Sequence, residues 1–237
     1  MSLAPAVSRT CAVRMPGCMR YGAAFDWQRE LVAQRKAGLI EDQLLLLEHP
    51  HVVTIGRNGH VENLLLTPAA MAARGIEFSE TDRGGDVTYH GPGQIIGYPI
   101  LDLNHWQRDV HKYVRAVEEV LIRVLAGFEI DATRIAGLTG VWTAAEPARK
   151  IAAIGVHISR WVTSHGFALN VDPDLSYFGH IVPCGLARPV TSMRELGCRA
   201  TWSEAASAVQ HHFLDVFDFD TTRQAHQAVA ASHGEFA

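Results

Sequence analysis

Three places in the sequence carry side chains able to do chemistry. The first is Cys184, within Ile181-Val182-Pro183-Cys184-Gly185. Proline fixes the entry to a turn and glycine allows a tight exit, so the thiol belongs on a sharp bend, open to a neighbouring base. A free thiol with a pKa near ~8.5 is only about 3% thiolate at pH 7. Lowering that pKa to ~7 gives about half thiolate, roughly a 15-fold gain that one nearby ammonium could supply. The ordinary alternative is a small buried hydrophobe. Cys11, Cys18 and Cys198 lack this turn and read as structural or incidental. With no CxxC pair, the four cysteines do not form a disulfide framework.

The second place is Lys150, at the head of the apolar run Ile151-Ala152-Ala153-Ile154-Gly155-Val156. A lysine flanking a strand is usually a solvated end charge. Pointed into a closed apolar site, its ammonium would be desolvated and the amine would become a usable base. The third is the loop Arg83-Gly84-Gly85-Asp86-Val87-Thr88-Tyr89-His90-Gly91-Pro92-Gly93-Gln94. Its glycines let the backbone approach a ligand and turn N–H groups toward it. It lacks the Gly-Lys-Ser/Thr of a P-loop and the GxGxxG spacing of a dinucleotide site. It reads either as a binding loop or as a glycine-rich hairpin stabilised by an Arg–Asp pair.

The elements that must position these groups follow from periodicity. Helices are predicted over Tyr21 to Ala37, Thr67 to Arg74, Asp109 to Ala126 and Ser203 to Phe217, with Thr67 and Asp109 as N-caps. Strands are predicted at Leu44 to Leu47, Val52 to Ile55, Ile76 to Ser79, Ile95 to Leu103 and Gly140 to Thr143. The runs Ile151–Arg160 and Val162–Val171 read as a hairpin. The first two strands, on either side of His49-Pro50-His51, look like a tightly connected pair. Strands dominate the middle with helices between them, so the class is α+β or mixed α/β.

Composition bounds the rest. A chain of 237 residues, 48% hydrophobic and 19% charged, suits one large domain. Its net charge of −4 argues against nonspecific nucleic-acid binding. The thirteen histidines are scattered, without the HExxH spacing of a metal site. No run approaches the ~20 apolar residues of a membrane span, and no secretory h-region forms between Met1 and Arg20, so a cytoplasmic protein is expected.

Taken together, Leu45-Leu46-Leu47-Glu48-His49-Pro50, the Arg83–Gln94 loop, Lys150-Ile151-Ala152-Ala153-Ile154-Gly155, His165-Gly166-Phe167-Ala168-Leu169-Asn170 and Ile181-Val182-Pro183-Cys184-Gly185 closely resemble the lipoyl(octanoyl) transferases. The resemblance runs from about Tyr21 to Gly197. It implies the fold of lipoate and biotin protein ligase catalytic domains, a mixed β-sheet flanked by helices. It implies one catalytic domain over residues 21–220, an N-terminal extension over 1–20 and a C-terminal tail over 221–237.

The resemblance also implies a reaction. Octanoyl would pass from octanoyl-acyl carrier protein to Cys184 as a thioester, with Lys150 lowering the thiol pKa. It would then pass to a lysine of lipoyl domains of 2-oxoacid dehydrogenase complexes or of the glycine cleavage H protein. Substrate-binding positions match Arg83, Gly84, Gly85, Asp86, Val87, Thr88, Tyr89 and His90, then Ala153, Ile154 and Gly155, then Gly166, Phe167 and Ala168. No cofactor, metal, nucleic acid or membrane is implied. Backbone N–H groups near Gly155, Gly166 or Gly185 are expected to face the oxyanion. Because both protein partners of the family are acidic, Arg149, Arg188 and Arg194 are expected to form a docking patch. The rivals are an ATP-dependent ligase on the same fold, which needs no cysteine, and a noncatalytic carrier-binding protein.

Overall fold

A computed structural model describes residues 9–182 and 189–220. The elements in chain order are β1 (Cys11–Cys18), α1 (Tyr21–Lys36), β2 (Asp42–Glu48), β3 (Val52–Ile55), α2 (Pro68–Ala72), β4 (Glu77–Glu80), β5 (Val87–His90), β6 (Gln94–Ile100), α3 (Val110–Gly127), β7 (Ala132–Thr133), β8 (Val141–Thr143), β9 (Lys150–Ser159), β10 (Val162–Asn170) and α4 (Trp202–Val216). A seven-stranded mixed sheet runs β1-β2-β6-β10-β9-β8-β7, and a three-stranded sheet runs β4-β3-β5.

The leucine run of β2 explains the layering. Leu44 and Leu46 point into a core shared with α3 and α4, while Leu45 and Leu47 point into one shared with α1. A strand covered on both faces reads as continuously apolar, because successive side chains alternate between two cores. The small sheet has its own core around Val53, Val87 and Tyr89, closed by Met71 of α2 and by Ile181. Helix α3 is capped by the Asp109 side chain on Lys112 N–H, and Thr67 caps α2. A capping box between Thr201 and Glu204 starts α4.

The structure departs from the sequence reading in three ways. Cys11–Cys18, within the segment read as an extension, is a strand of the main sheet, paired parallel with β2. Its alternation is interrupted by Pro16 and Gly17, which hid it. The strands on either side of His49-Pro50-His51 do not pair: β2 lies in the large sheet and β3 in the small one. The glycine-rich loop contains a true strand, β5, paired with β3 through Val52↔His90 to Ile55↔Val87. The hairpin β9–β10 forms as expected, turning at Arg160 and Trp161, both at positive φ. Residues 221–237 lie outside the described residues.

Candidate active site

Between the two sheets lies a cavity of about 570 Å³. That is within the ~300–1,000 Å³ range of small-molecule sites. The substrate positions expected from sequence all line it: Arg83 through His90, Ala153 to Gly155 and Gly166 to Ala168. Lys150 lines it as well. Cys184, with Pro183, Gly185 and Arg188, lies outside the described residues.

The small-sheet wall is held by buried polar bonds. Arg83 donates from Nε and Nη2 to the Thr54 hydroxyl (3.2 and 2.9 Å), from Nη2 to the carbonyls of Thr54 (2.9 Å) and Asp86 (2.7 Å), and from Nη1 to the Gly84 carbonyl (3.1 Å). Arg83 thus reaches Asp86 through its backbone, which corrects the expectation of a simple Arg–Asp pair. The Asp86 carboxylate instead accepts from His60 N–H at 3.0 Å and from the Asn63 amide. Gly84 N–H then donates to the Val156 carbonyl at 2.9 Å, joining this loop to β9.

Two glycines allow close backbone approach here, Gly155 at that junction and Gly166 against β6. A Cβ at Gly155 would lie 2.8 Å from the Gly84 carbonyl oxygen, and one at Gly166 would lie 2.0 Å from that of Gly97. These glycines are required by close approach, and they face each other across β9 and β10.

Lys150 is fixed through its own backbone. Its N–H donates to the Pro189 carbonyl and its carbonyl accepts from Thr191 N–H, each at 2.9 Å. Asn170 ties this return segment to the sheet, donating to the Thr191 carbonyl (2.8 Å) and accepting from Gln94 (2.9 Å). On the other side of the segment containing Cys184, Val182 N–H donates to the Asn63 carbonyl at 2.8 Å. The Lys150 ammonium stands 4.9 Å from the centre of the Trp142 ring.

Tyr21, His90, Tyr98 and His165 form an aromatic wall of the cavity, with His49 packed against Tyr98 and His90. His49 Nδ1 is 2.6 Å from the Met19 carbonyl and Nε2 is 2.7 Å from the Tyr98 hydroxyl. A carbonyl only accepts, so Nδ1 carries the proton and Tyr98 donates to Nε2. Burial pushes the His49 pKa down to about 4, against the raising effect of the Met19 bond. Burial likewise drives His90 well below its ordinary range, with His49 and Arg83 adding repulsion. His165 is also lowered by burial, although its Nε2 lies 2.7 Å from Asp82. Burial lifts Tyr21 to about 12 and Tyr98 well above the usual phenol range.

The sequence reading missed Tyr21, Gln94, Tyr98, Trp142, His165 and Asn170 as cavity residues. His165 and Asn170 bracketed a motif already singled out, so that signal was available. Tyr98 and Trp142 sat inside apolar runs, where an aromatic residue reads as core. Of the expected docking arginines, Arg149 pairs with Glu195 at 3.2 Å and Arg194 with Asp172 at 3.0 Å.

The model of the lipoyl protein ligase A/B catalytic domain matches residues 20–214. An octanoyltransferase of Solibacter usitatus is 57% identical over 94% of this chain and 100% of its own length. One of Koribacter versatilis is 53% identical over 85% and 82%. The chain belongs to the octanoyltransferases of this catalytic-domain family.

As a member of that family, it is an acyltransferase. Its fold is that of the solved lipoate-protein ligases. A lipoate-protein ligase A bound with ATP superposes with a TM-score of 0.70 at 16% identity, over 90% of this chain and 87% of that one. The bipartite lipoate protein ligase of Thermoplasma acidophilum gives 0.68 at 16% identity, over 90% and 85%. No helix among the described residues is long and apolar enough to cross a membrane.

Proposed function

We propose that this octanoyltransferase moves an octanoyl group from octanoyl-acyl carrier protein to Cys184, and from there to a lysine of a lipoyl domain. The acceptors are lipoyl domains of 2-oxoacid dehydrogenase complexes and of the glycine cleavage H protein, and the reaction runs in the cytoplasm. The observation that carries this reading is the convergence of Lys150 with all three groups of expected substrate residues on one cavity. Val182 and Pro189, which flank the Cys184 segment, are both hydrogen-bonded to the cavity's surroundings, one of them to Lys150 itself.

In the first half-reaction Lys150 takes the thiol proton, and the thiolate attacks the donor thioester carbonyl. The tetrahedral intermediate collapses, the carrier thiolate leaves, and it recovers a proton from the Lys150 ammonium. In the second, the acceptor amine attacks the acyl-Cys184 carbonyl. Lys150 removes the amine proton, the amide forms, and the Cys184 thiolate departs. Thioester exchange is near-isoenergetic and amide formation from a thioester is downhill, so no ATP is needed. The apolar parts of the cavity suit the alkyl tail: at ~0.8 kcal/mol per buried CH₂, seven carbons are worth about 5 kcal/mol. One methylene more or less discriminates weakly, so neighbouring chain lengths are accepted.

Intact mass after mixing with octanoyl-acyl carrier protein, without ATP, tests the reading. A gain of one octanoyl group that is lost in Cys184→Ser is expected. Labelling at Cys198, no adduct, or turnover only with ATP and free octanoate would sink it.

A further inference from the structure

We propose that Trp142 is a positioning residue for Lys150: its ring face holds the ammonium in the cavity and favours it over the neutral amine. The inference deepens the proposed function by assigning a cause to the state of its general base.

The arrangement originates in a strand irregularity. Along the antiparallel pair β8–β9, Val141 faces Ala152, yet Trp142 faces Lys150. One extra residue of β9, Ile151, therefore lies between the two pairs. In an unshifted register Ile151 would stand opposite Trp142. Bulges re-aim side chains in this way. Here Ile151 and Ala152 both enter the α3–α4 core, while Lys150 turns to the cavity beside Trp142. Directly opposed residues of an antiparallel pair share a face, so the Lys150 side chain is on the same side of the sheet as the indole.

The ring itself is fixed, with only 2% of Trp142 exposed. The turn before it is anchored by Glu118 of α3, a fully buried carboxylate that accepts from Gly140 N–H at 3.1 Å. The same carboxylate accepts from Arg115 at 2.6 Å and Arg134 at 3.1 Å. Gly140, at φ +116°, leaves room for the lysine stem: a Cβ there would lie 3.3 Å from Lys150 Cε and 2.6 Å from the Ala152 carbonyl oxygen. The sheet, the Gly140 turn and the indole thus hold the ammonium at 4.9 Å from the ring centre. The quadrupole of a ring face attracts a cation and does little for an amine. Of the two ways to share one proton between a thiol and Lys150, the ring favours thiolate plus ammonium. Among the described residues, the other charged and titratable groups on this cavity are Arg83, Asp86, His90, His165 and the tyrosines Tyr21, Tyr89 and Tyr98.

The test varies only the ring's charge distribution. Lys36, Lys112 and Lys150 are the lysines of the chain, so protein labelled with ¹³C at lysine Cε gives three resolvable titrations. Lys150→Arg assigns the one at issue. Fluorinated tryptophans introduced at position 142 alone, from one to four fluorines, keep the ring's shape and weaken its quadrupole. The Lys150 midpoint should fall stepwise, by about one pH unit in total. Octanoyl transfer at neutral pH should fall about threefold in kcat with KM for the carrier unchanged. Trp142→Phe should retain most of the midpoint, and Trp142→Leu should lose it. A midpoint that stays constant across the folded fluorinated series overturns the proposal. Full transfer by Lys150→Ala would instead overturn the role given to Lys150, and the midpoint series would still report on the ring.

Discussion

On the small-sheet side of the cavity, Arg83 directs its donors into Thr54, Gly84 and Asp86. On the large-sheet side, Lys150 presents its ammonium to the face of Trp142. Both are cations on one cavity, yet they are held differently. The Arg83 fork donates to backbone and hydroxyl acceptors and so braces its own loop. Lys150 is held through its backbone bonds to Pro189 and Thr191, and its ammonium lies at the cavity. In the proposed mechanism the first is a rigid polar wall and the second a positioned proton carrier, the two parts that preorganised acyl transfer requires.

The largest effect that separates the two walls is on chemistry. Lys150→Ala should lower kcat/KM for octanoyl transfer by up to ~10⁴-fold, the upper range for one acid–base group. Its thermal midpoint should stay close to that of the parent protein. A large fall in stability would erase the distinction between the walls.

Arg83→Met should do the reverse, costing about 4 kcal/mol in urea unfolding, because several buried acceptors lose their donor together. A stable Arg83→Met protein with a raised KM would recast Arg83 as a ligand contact.

The aromatic wall sharpens the comparison through pH. His49 is neutral in both states above its unfolded pKa of ~6.5, so its contribution is complete there. As pH falls from 6.5 toward the folded value of about 4, the unfolded chain takes up the proton first, and stability is lost. The total is on the order of 3 kcal/mol, and His90, shifted in the same direction, adds to the slope. Urea midpoints between pH 4 and 7 should show this decline. A profile as steep in His49→Gln would assign it elsewhere.

The smallest effect is at the junction of the walls. Gly155→Ala pushes a methyl onto the Gly84 carbonyl and should cost about 2 kcal/mol while raising KM. An unchanged KM would mean that the two walls move independently.

Much of this was legible in the linear chain. The Asp109 cap and the spacing of Val117, Leu121 and Leu125 specified α3, because one helical face meets one core. The ordered motifs specified the family and, through it, the cavity residues that the structure brings together. The parallel edge strand β1 was not legible, since a strand interrupted by Pro16 and Gly17 carries no alternation and draws its stability from pairing with β2. Nor was the separation of β2 from β3 into two sheets, because a short apolar run does not encode its partner.

The sequence by itself determined which side chains were available: a thiol after proline, a lysine before an apolar strand, and glycines where backbones must touch. Tertiary structure decided their states. Burial made His49 and His90 neutral, and the fold aimed the Arg83 donors at Thr54, Gly84 and Asp86. One extra residue in β9 turned Lys150 toward Trp142. Charge state and direction depend on desolvation and register, which are properties of neighbours distant in the chain.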